Sequence, residues 1–275
     1  MVLGVRHLLE EAGDDVTLVV PASCAGVIQG IYPYTAFDVP VVNTAFAAGA
    51  STASGVEMAN NATDEDGEVV VVAGDGGSAD IGLSALSGVL ERDHDLLYVL
   101  YDNEAYSNTG FQKSGRTPPG AKTTTTPTGR VGRQKDIGEI VASHDPAYAA
   151  TASPAYLEDL RRKASRGLEV DGTSFLHLHA PCPPGWSMET GDTVAVAKAA
   201  VSTGLWVLYE RERGGEITVN RPSEAAIRDP DPIEEYLEYQ GRFSTATDES
   251  VDQLREQADS NVERYGEYLE GEVPV

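Results

Sequence analysis

The stretch LLYVLYDNEAYSNTG, Leu96–Gly110, decides the fold. Its first six residues are apolar without alternation, the pattern of a parallel strand covered on both faces. Polar groups then crowd in at once: Asp102, Asn103, Glu104, Ser107, Asn108 and Thr109, followed by Gly110. A surface turn needs only one or two such residues. A longer polar run at the end of a buried strand points to something bound there.

Upstream, VVVVA (Val69–Ala73) reads as a second buried strand and runs into GDGGSADIG, Gly74–Gly82. VTLVV (Val16–Val20) and SFLHLHA (Ser174–Ala180) are further strand candidates. Apolar spacing predicts helices over Val2–Ala12, Thr44–Ala62, Ala79–Arg92, Gln134–Ser143, Pro154–Glu169 and Thr193–Leu205. Such alternation predicts an α/β fold: an open, mostly parallel sheet with helices on both faces. Ligands in that architecture sit beyond the carboxyl ends of the strands, where both polar clusters fall. The Pro-, Gly- and Thr-rich segment Gly110–Arg133 is a long loop, of a kind that is functional or disordered. The sheet pattern fades after Trp206. The chain therefore divides into a ligand-binding domain, residues 1–210, and a C-terminal extension, 211–275, with a polar helix near Glu249–Leu269.

The first strand end offers Gly74, Asp75, Gly76 and Gly77. Glycines let a ligand approach the backbone, and the N–H groups of the next helix can bind phosphate. A dinucleotide site is one reading, since Gly74-x-Gly76-x-x-Ala79 fits a relaxed glycine pattern. The aspartate between the glycines opposes it, because a carboxylate repels a pyrophosphate unless a cation stands between them. Mg²⁺ takes carboxylate, amide and phosphate oxygens together, so Asp75, Asn103 and the carbonyl of Ala105 form a candidate ligand set. A tight Gly-Asp-Gly turn and a self-capped Asn103 are the bland alternatives.

Composition narrows the classes. Among 275 residues, 44 acids oppose 20 bases for a net charge of −24, and lysine is scarce. This surface predicts a halophilic setting in which salt screens self-repulsion. With no basic stripe, nucleic-acid binding is not expected. No apolar run approaches the ~20 residues that a membrane helix needs. The N-terminus turns acidic too early for a signal peptide. Two cysteines are too few for a secreted disulfide framework, so a cytoplasmic location is expected.

The text GDGGSADIGLSALSGVLERDH…YDNEAYSNTGFQKSGRTPPGAKTTTTPTG resembles the β chain of pyruvate:ferredoxin oxidoreductase, as do IYPYTAF (Ile31–Phe37), ATASPAY (Ala150–Tyr156) and APCPPGW (Ala180–Trp186). The resemblance implies a thiamine-diphosphate-binding fold and the oxidative decarboxylation of a 2-oxo acid, most directly pyruvate. Coenzyme A would take the acyl group and ferredoxin the electrons. It implies that Asp75, Asn103 and Ala105 hold Mg²⁺. Gly74, Gly76 and Gly77, with Asn103 to Asn108 (Tyr106 included), would wrap the diphosphate, and Asn108 would reach the substrate as the catalytic residue. An α subunit is implied as partner, because the glutamate that activates the aminopyrimidine lies in another domain of the family.

The family also implies an iron–sulfur (4Fe–4S) cluster beside the cofactor, for which Cys24 and Cys182 match two of four cysteines. The family's upstream Cys-x-x-Cys is absent, which places Met1 just after it; burial as small apolar residues is the alternative for both thiols. Phe46-Ala47-Ala48 stands where relatives carry Phe-Glu-Asn. The five histidines show no metal spacing, and His177 and His179 are read as structural. Other readings are a different 2-oxo acid, a cluster-free thiamine-diphosphate decarboxylase, or a non-catalytic binding remnant.

Overall fold

The unbroken apolar runs become the centre of one eight-stranded sheet. The computed structural model describes residues 1–64 and 67–269; residues 270–275 of the C-terminal extension lie outside it. In chain order the first half contains α1 (Val2–Ala12), β1 (Val16–Pro21), α2 (Cys24–Gln29), β2 (Val41–Thr44), α3 (Gly49–Thr63), β3 (Glu68–Gly74), α4 (Leu83–Arg92) and β4 (Leu96–Asp102). The second half contains α5 (Ile137–Ala142), β5 (Tyr148–Ala152), α6 (Leu157–Glu169), β6 (Thr173–His179), α7 (Pro183–Trp186) and α8 (Thr193–Ser202). It ends with β7 (Tyr209–Glu212), β8 (Thr218–Val219), α9 (Arg221–Arg228), α10 (Glu234–Leu237) and α11 (Asp248–Gly266).

The strands run in the order β2-β1-β3-β4-β6-β5-β7-β8. The first six are mutually parallel, whereas β7 and β8 pair antiparallel at one edge. Strand residues alternate between the two faces. Leu18, Val70, Val72, Leu97, Val99 and Leu176 pack beneath α1, α2 and α6, together with Val5, Leu8, Ala25 and Leu160. Val19, Val69, Val71, Tyr98, Leu100 and Phe175 pack beneath α3, α4 and α5, with Ala53, Leu86 and Val141. Both faces are thus covered, and the expected open α/β architecture is what forms.

Three expectations change in detail. The helix anticipated over Thr44–Ala62 begins only at Gly49, because VVNT extends as the edge strand β2. The helix anticipated from Ala79 is preceded by a π-helical turn, Gly76–Asp80, and α4 starts at Leu83. Single π turns of this kind recur at functional sites. A Cβ on Gly82 would lie 1.7 Å from the Gly77 carbonyl oxygen, so the widened turn requires glycine there. The sheet also continues past Trp206: YERE pairs with β5, while Arg162 engages Glu210 and Arg166 engages Glu212.

Residues beyond β7 pack back on the same body. Trp186, Trp206, Leu208, Ile233, Tyr236, Phe243 and Leu254 form one cluster. Thr247 and Ser250 make a reciprocal cap at the start of α11, satisfying N–H groups that the first turn leaves free. No helix among the described residues is long and apolar enough to cross a membrane.

Candidate cofactor and metal site

Strands β3 and β4 are parallel neighbours, with Gly74 opposite Tyr101, so their carboxyl ends open side by side. A cleft of 440 Å³ lies there. Of the residues singled out from the sequence, Cys24, Gly74, Asp75 and Gly76 line it from the β1 and β3 ends. Asn103, Ala105, Tyr106 and Asn108 line it from the end of β4. Gly77 stands just behind, in the π turn, and Cys182 lies outside the lining as the N-cap of α7.

Three potential oxygen donors converge in this cleft. One terminal atom of the Asn103 amide lies 2.8 Å from the Ala105 carbonyl oxygen and 3.3 Å from Asp75 Oδ1. With nitrogen at that position, the amide donates to both. With oxygen there, it accepts from Ser107 Oγ at 2.9 Å and still faces two further acceptors, a crowding that a cation among them would relieve. Octahedral Mg²⁺ with ligands at 2.0–2.1 Å puts neighbouring ligands about 2.9 Å apart, close to the two spacings observed. The residues therefore fit Mg²⁺ by charge, donor type and separation. Among the described residues, no group of three or more His, Cys, Asp or Glu side chains could hold a metal. The set here is instead one carboxylate, one amide and one main-chain carbonyl.

Asp75 is buried, and Ser114 Oγ donates to its Oδ2. Burial, reinforced by the charge of Asp102, pushes the Asp75 carboxyl well above the usual range. A bound cation acts in the opposite direction. Asp102, the last residue of β4, accepts from Arg116 Nε at 2.7 Å and from His177 Nε2 at 2.8 Å. Burial opposes its ionisation, but Arg116 and His177 outweigh burial and hold its carboxyl well below the usual range. The two histidines of β6 are buried. Burial lowers both, His179 to about 3, and His179 stacks on Trp206 with ring centroids 4.7 Å apart.

The floor of the cleft is shaped by glycine. A Cβ on Gly76 would lie 2.0 Å from the Tyr106 ring and 2.9 Å from Phe46. The Tyr106 hydroxyl donates to Asp80 Oδ2 at 2.7 Å, and Lys135 Nζ meets the other oxygen of Asp80 at 2.6 Å. Phe46 touches Tyr106 edge-on, with centroids 6.1 Å apart. Cys24 opens α2 beside the cleft. Burial raises its thiol, and nearby Cys182 and Asp75 add to the effect. Both cysteines are free thiols. As donors they supply half of the four thiolates that a cubane cluster takes.

Ser23 and Tyr101 also line the cleft, with Thr109 of the polar run, and Ser114 orients Asp75; no local sequence signal marks Ser23, Tyr101 or Ser114 for these roles. The loop 110–133 gave a general signal. It is ordered, and it brings Ser114 and Arg116 back to the ends of β3 and β4.

Comparison with known proteins gives the family. Residues 24–178 match the family described as thiamine pyrophosphate enzyme, C-terminal TPP binding domain. The chain is 46% identical over 264 residues to the ketoisovalerate oxidoreductase subunit VorB of Pyrococcus furiosus, covering 92% of this chain and 84% of that one. It is 44% identical over 264 residues to the pyruvate synthase subunit PorB of Methanothermobacter thermautotrophicus, covering 94% and 90%. A 2-oxoglutarate:ferredoxin oxidoreductase from Magnetococcus marinus shares the fold, with a TM-score of 0.58 and 22% identity. The match spans 66% of this chain and 60% of that one. The chain belongs to the family of thiamine-diphosphate-dependent 2-oxoacid:ferredoxin oxidoreductase β subunits.

Proposed function

We propose that this chain, together with an α subunit, oxidatively decarboxylates pyruvate with coenzyme A to acetyl-CoA and CO₂ and passes the electrons to ferredoxin. The observation that carries the reading is the meeting of Asp75, Asn103 and Ala105 in one cleft with Cys24 and Asn108. In this reading Asp75 and Asn103 hold Mg²⁺ with the carbonyl of Ala105, and Ser114 keeps one Asp75 oxygen turned away from the ion. Gly74, Gly76 and Gly77 let the main chain approach the diphosphate. Tyr106, fixed through Asp80, closes the floor and excludes water. The Asn108 amide faces the reacting end as the residue that touches substrate. Thiamine diphosphate, when bound, supplies the electron-sink chemistry by which a 2-oxo acid loses CO₂.

Cys24 and Cys182 are proposed as two thiolate ligands of an iron–sulfur cluster, and the chain has no third cysteine. The test is viologen or ferredoxin reduction by the complex with its α partner, given coenzyme A and either pyruvate or ketoisovalerate. Reduction with pyruvate at the higher kcat/KM supports the reading. A preference for ketoisovalerate reassigns the substrate, and CO₂ release without acceptor reduction makes the chain part of a simple decarboxylase. Failure to bind thiamine diphosphate would leave a non-catalytic remnant.

A further inference from the structure

We propose that Glu104 and Arg242 are a positioning pair through which the C-terminal segment holds the loop that presents Asn103 and Ala105. The inference rests on the Mg²⁺ reading above. Glu104 stands between the two donors in the left-handed conformation, φ +62°. A non-glycine residue keeps that conformation only where its surroundings over-determine it. The Glu104 carboxylate is buried away from the cleft lining and reaches Arg242 Nη2 at 2.7 Å. Gln134 Nε2 approaches the other oxygen at 3.3 Å. The Glu104 main chain is tied as well: its N–H donates to Asp102 Oδ1 at 3.0 Å, and Thr117 Oγ1 donates to its carbonyl at 2.6 Å.

Arg242 is itself fixed in place. Its Nε donates to Gln240 Oε1 at 2.8 Å and its Nη2 to the Tyr236 hydroxyl at 3.0 Å. The guanidinium lies 3.6 Å over the Trp186 ring, and the Trp186 indole N–H donates to the carbonyl oxygen of Asn103 at 2.9 Å. One guanidinium thus acts on both residues of the turn, on Glu104 directly and on Asn103 through the indole. Neither Glu104 nor Arg242 lines the cleft, so their contribution passes through the loop. Partners that orient a metal's ligands influence affinity strongly, although they never touch the ion.

The experiment is calorimetric titration of thiamine diphosphate into the complex with its α partner at a series of Mg²⁺ concentrations. Glu104→Gly, Arg242→Gln and the double variant are compared with Leu86→Ala, a core truncation under α4. Asp75→Ala serves as the reference for a lost ligand. We expect Glu104→Gly and Arg242→Gln each to raise the half-saturating Mg²⁺ concentration about tenfold or more. The double variant should be no worse than the weaker single, because one device has been removed twice. Leu86→Ala should lower Tm and leave half-saturation unchanged. If Arg242→Gln does not fold, Glu104→Gly decides, since glycine adopts this φ freely. Wild-type half-saturation in the pair variants, alongside loss in Asp75→Ala, would overturn the positioning role and leave the Mg²⁺ site standing. A shift of equal size in Leu86→Ala would also overturn it. Unchanged Mg²⁺ dependence in Asp75→Ala would remove both readings together.

Discussion

Asp75 and Asn103 leave the ends of adjacent parallel strands, and their side chains meet with Asp75 Oδ1 3.3 Å from one terminal atom of the Asn103 amide. The parallel register of β3 against β4 produces this meeting, since both chains stop at the same sheet edge. The Asn103 amide can bridge the Asp75 carboxylate and the Ala105 carbonyl directly, and the same three groups present the oxygen types that Mg²⁺ takes.

Gly76 and Gly77 should respond differently to alanine. A Cβ on Gly76 overlaps the Tyr106 ring, which its bond to Asp80 holds in place, so Gly76→Ala displaces the cleft floor. On Gly77 the nearest atoms lie at 3.5 Å, an ordinary contact. Titration of thiamine diphosphate should show a loss of at least about tenfold in affinity for Gly76→Ala, by analogy with displaced metal-site neighbours. Gly77→Ala should lose less, because its Cβ would displace no part of the cleft floor. Equal losses would mean that Tyr106 is free to move aside.

Lys163 gives a pH signature away from the site. It is fully buried on α6, donating to the Thr151 carbonyl and to Asp159 Oδ2, each at 2.7 Å. Burial outweighs Asp159 and lowers its ammonium to about 8. Between that value and the unfolded one, the unfolded chain binds more protons, so stability rises with pH across the window. The gain is on the order of 3 kcal/mol when complete. Denaturant unfolding of wild type and Lys163→Met from pH 7 to pH 10 should show wild type gaining on the variant above pH 8. A constant difference contradicts the assignment.

Salt should stabilise the chain. Its surface ion pairs, such as Arg6–Glu10 and Arg255–Glu234, are exposed. Screening costs each of them at most about 1 kcal/mol. A net charge of −24 repels itself over about 30 Å at 0.01 M salt and about 3 Å at 1 M, so relief of repulsion outweighs those losses. Tm should rise between low and molar KCl. A flat or falling Tm argues against a halophilic protein.

Much of this architecture is legible in the sequence because strands buried on both faces need unbroken apolar runs. VVVVA and LLYVLY can hardly be read otherwise. The other four strands have other physics: VVNT is a short, half-buried edge, YAATA is alanine-rich with weak strand propensity, YERE draws its support from Arg162 and Arg166 across the sheet, and Thr218–Val219 is too short to carry a pattern. Asp75, Asn103 and Asn108 are legible for a similar reason, since each follows a recognisable strand. The contacts of Ser114, Trp186 and Arg242 are not, because folding alone brings these distant segments to the β4 end.

Asp75 is proposed to anchor a Mg²⁺-dependent thiamine-diphosphate site. The most direct measurement is calorimetric titration of thiamine diphosphate, with and without Mg²⁺, into the intact complex carrying wild-type chain, Asp75→Ala or Asn103→Ala. Binding should be Mg²⁺-dependent in wild type, weakened in Asn103→Ala and unmeasurable in Asp75→Ala, all with native circular dichroism. Asp75→Ala binding the cofactor as tightly as wild type, with the same Mg²⁺ dependence, would contradict that role.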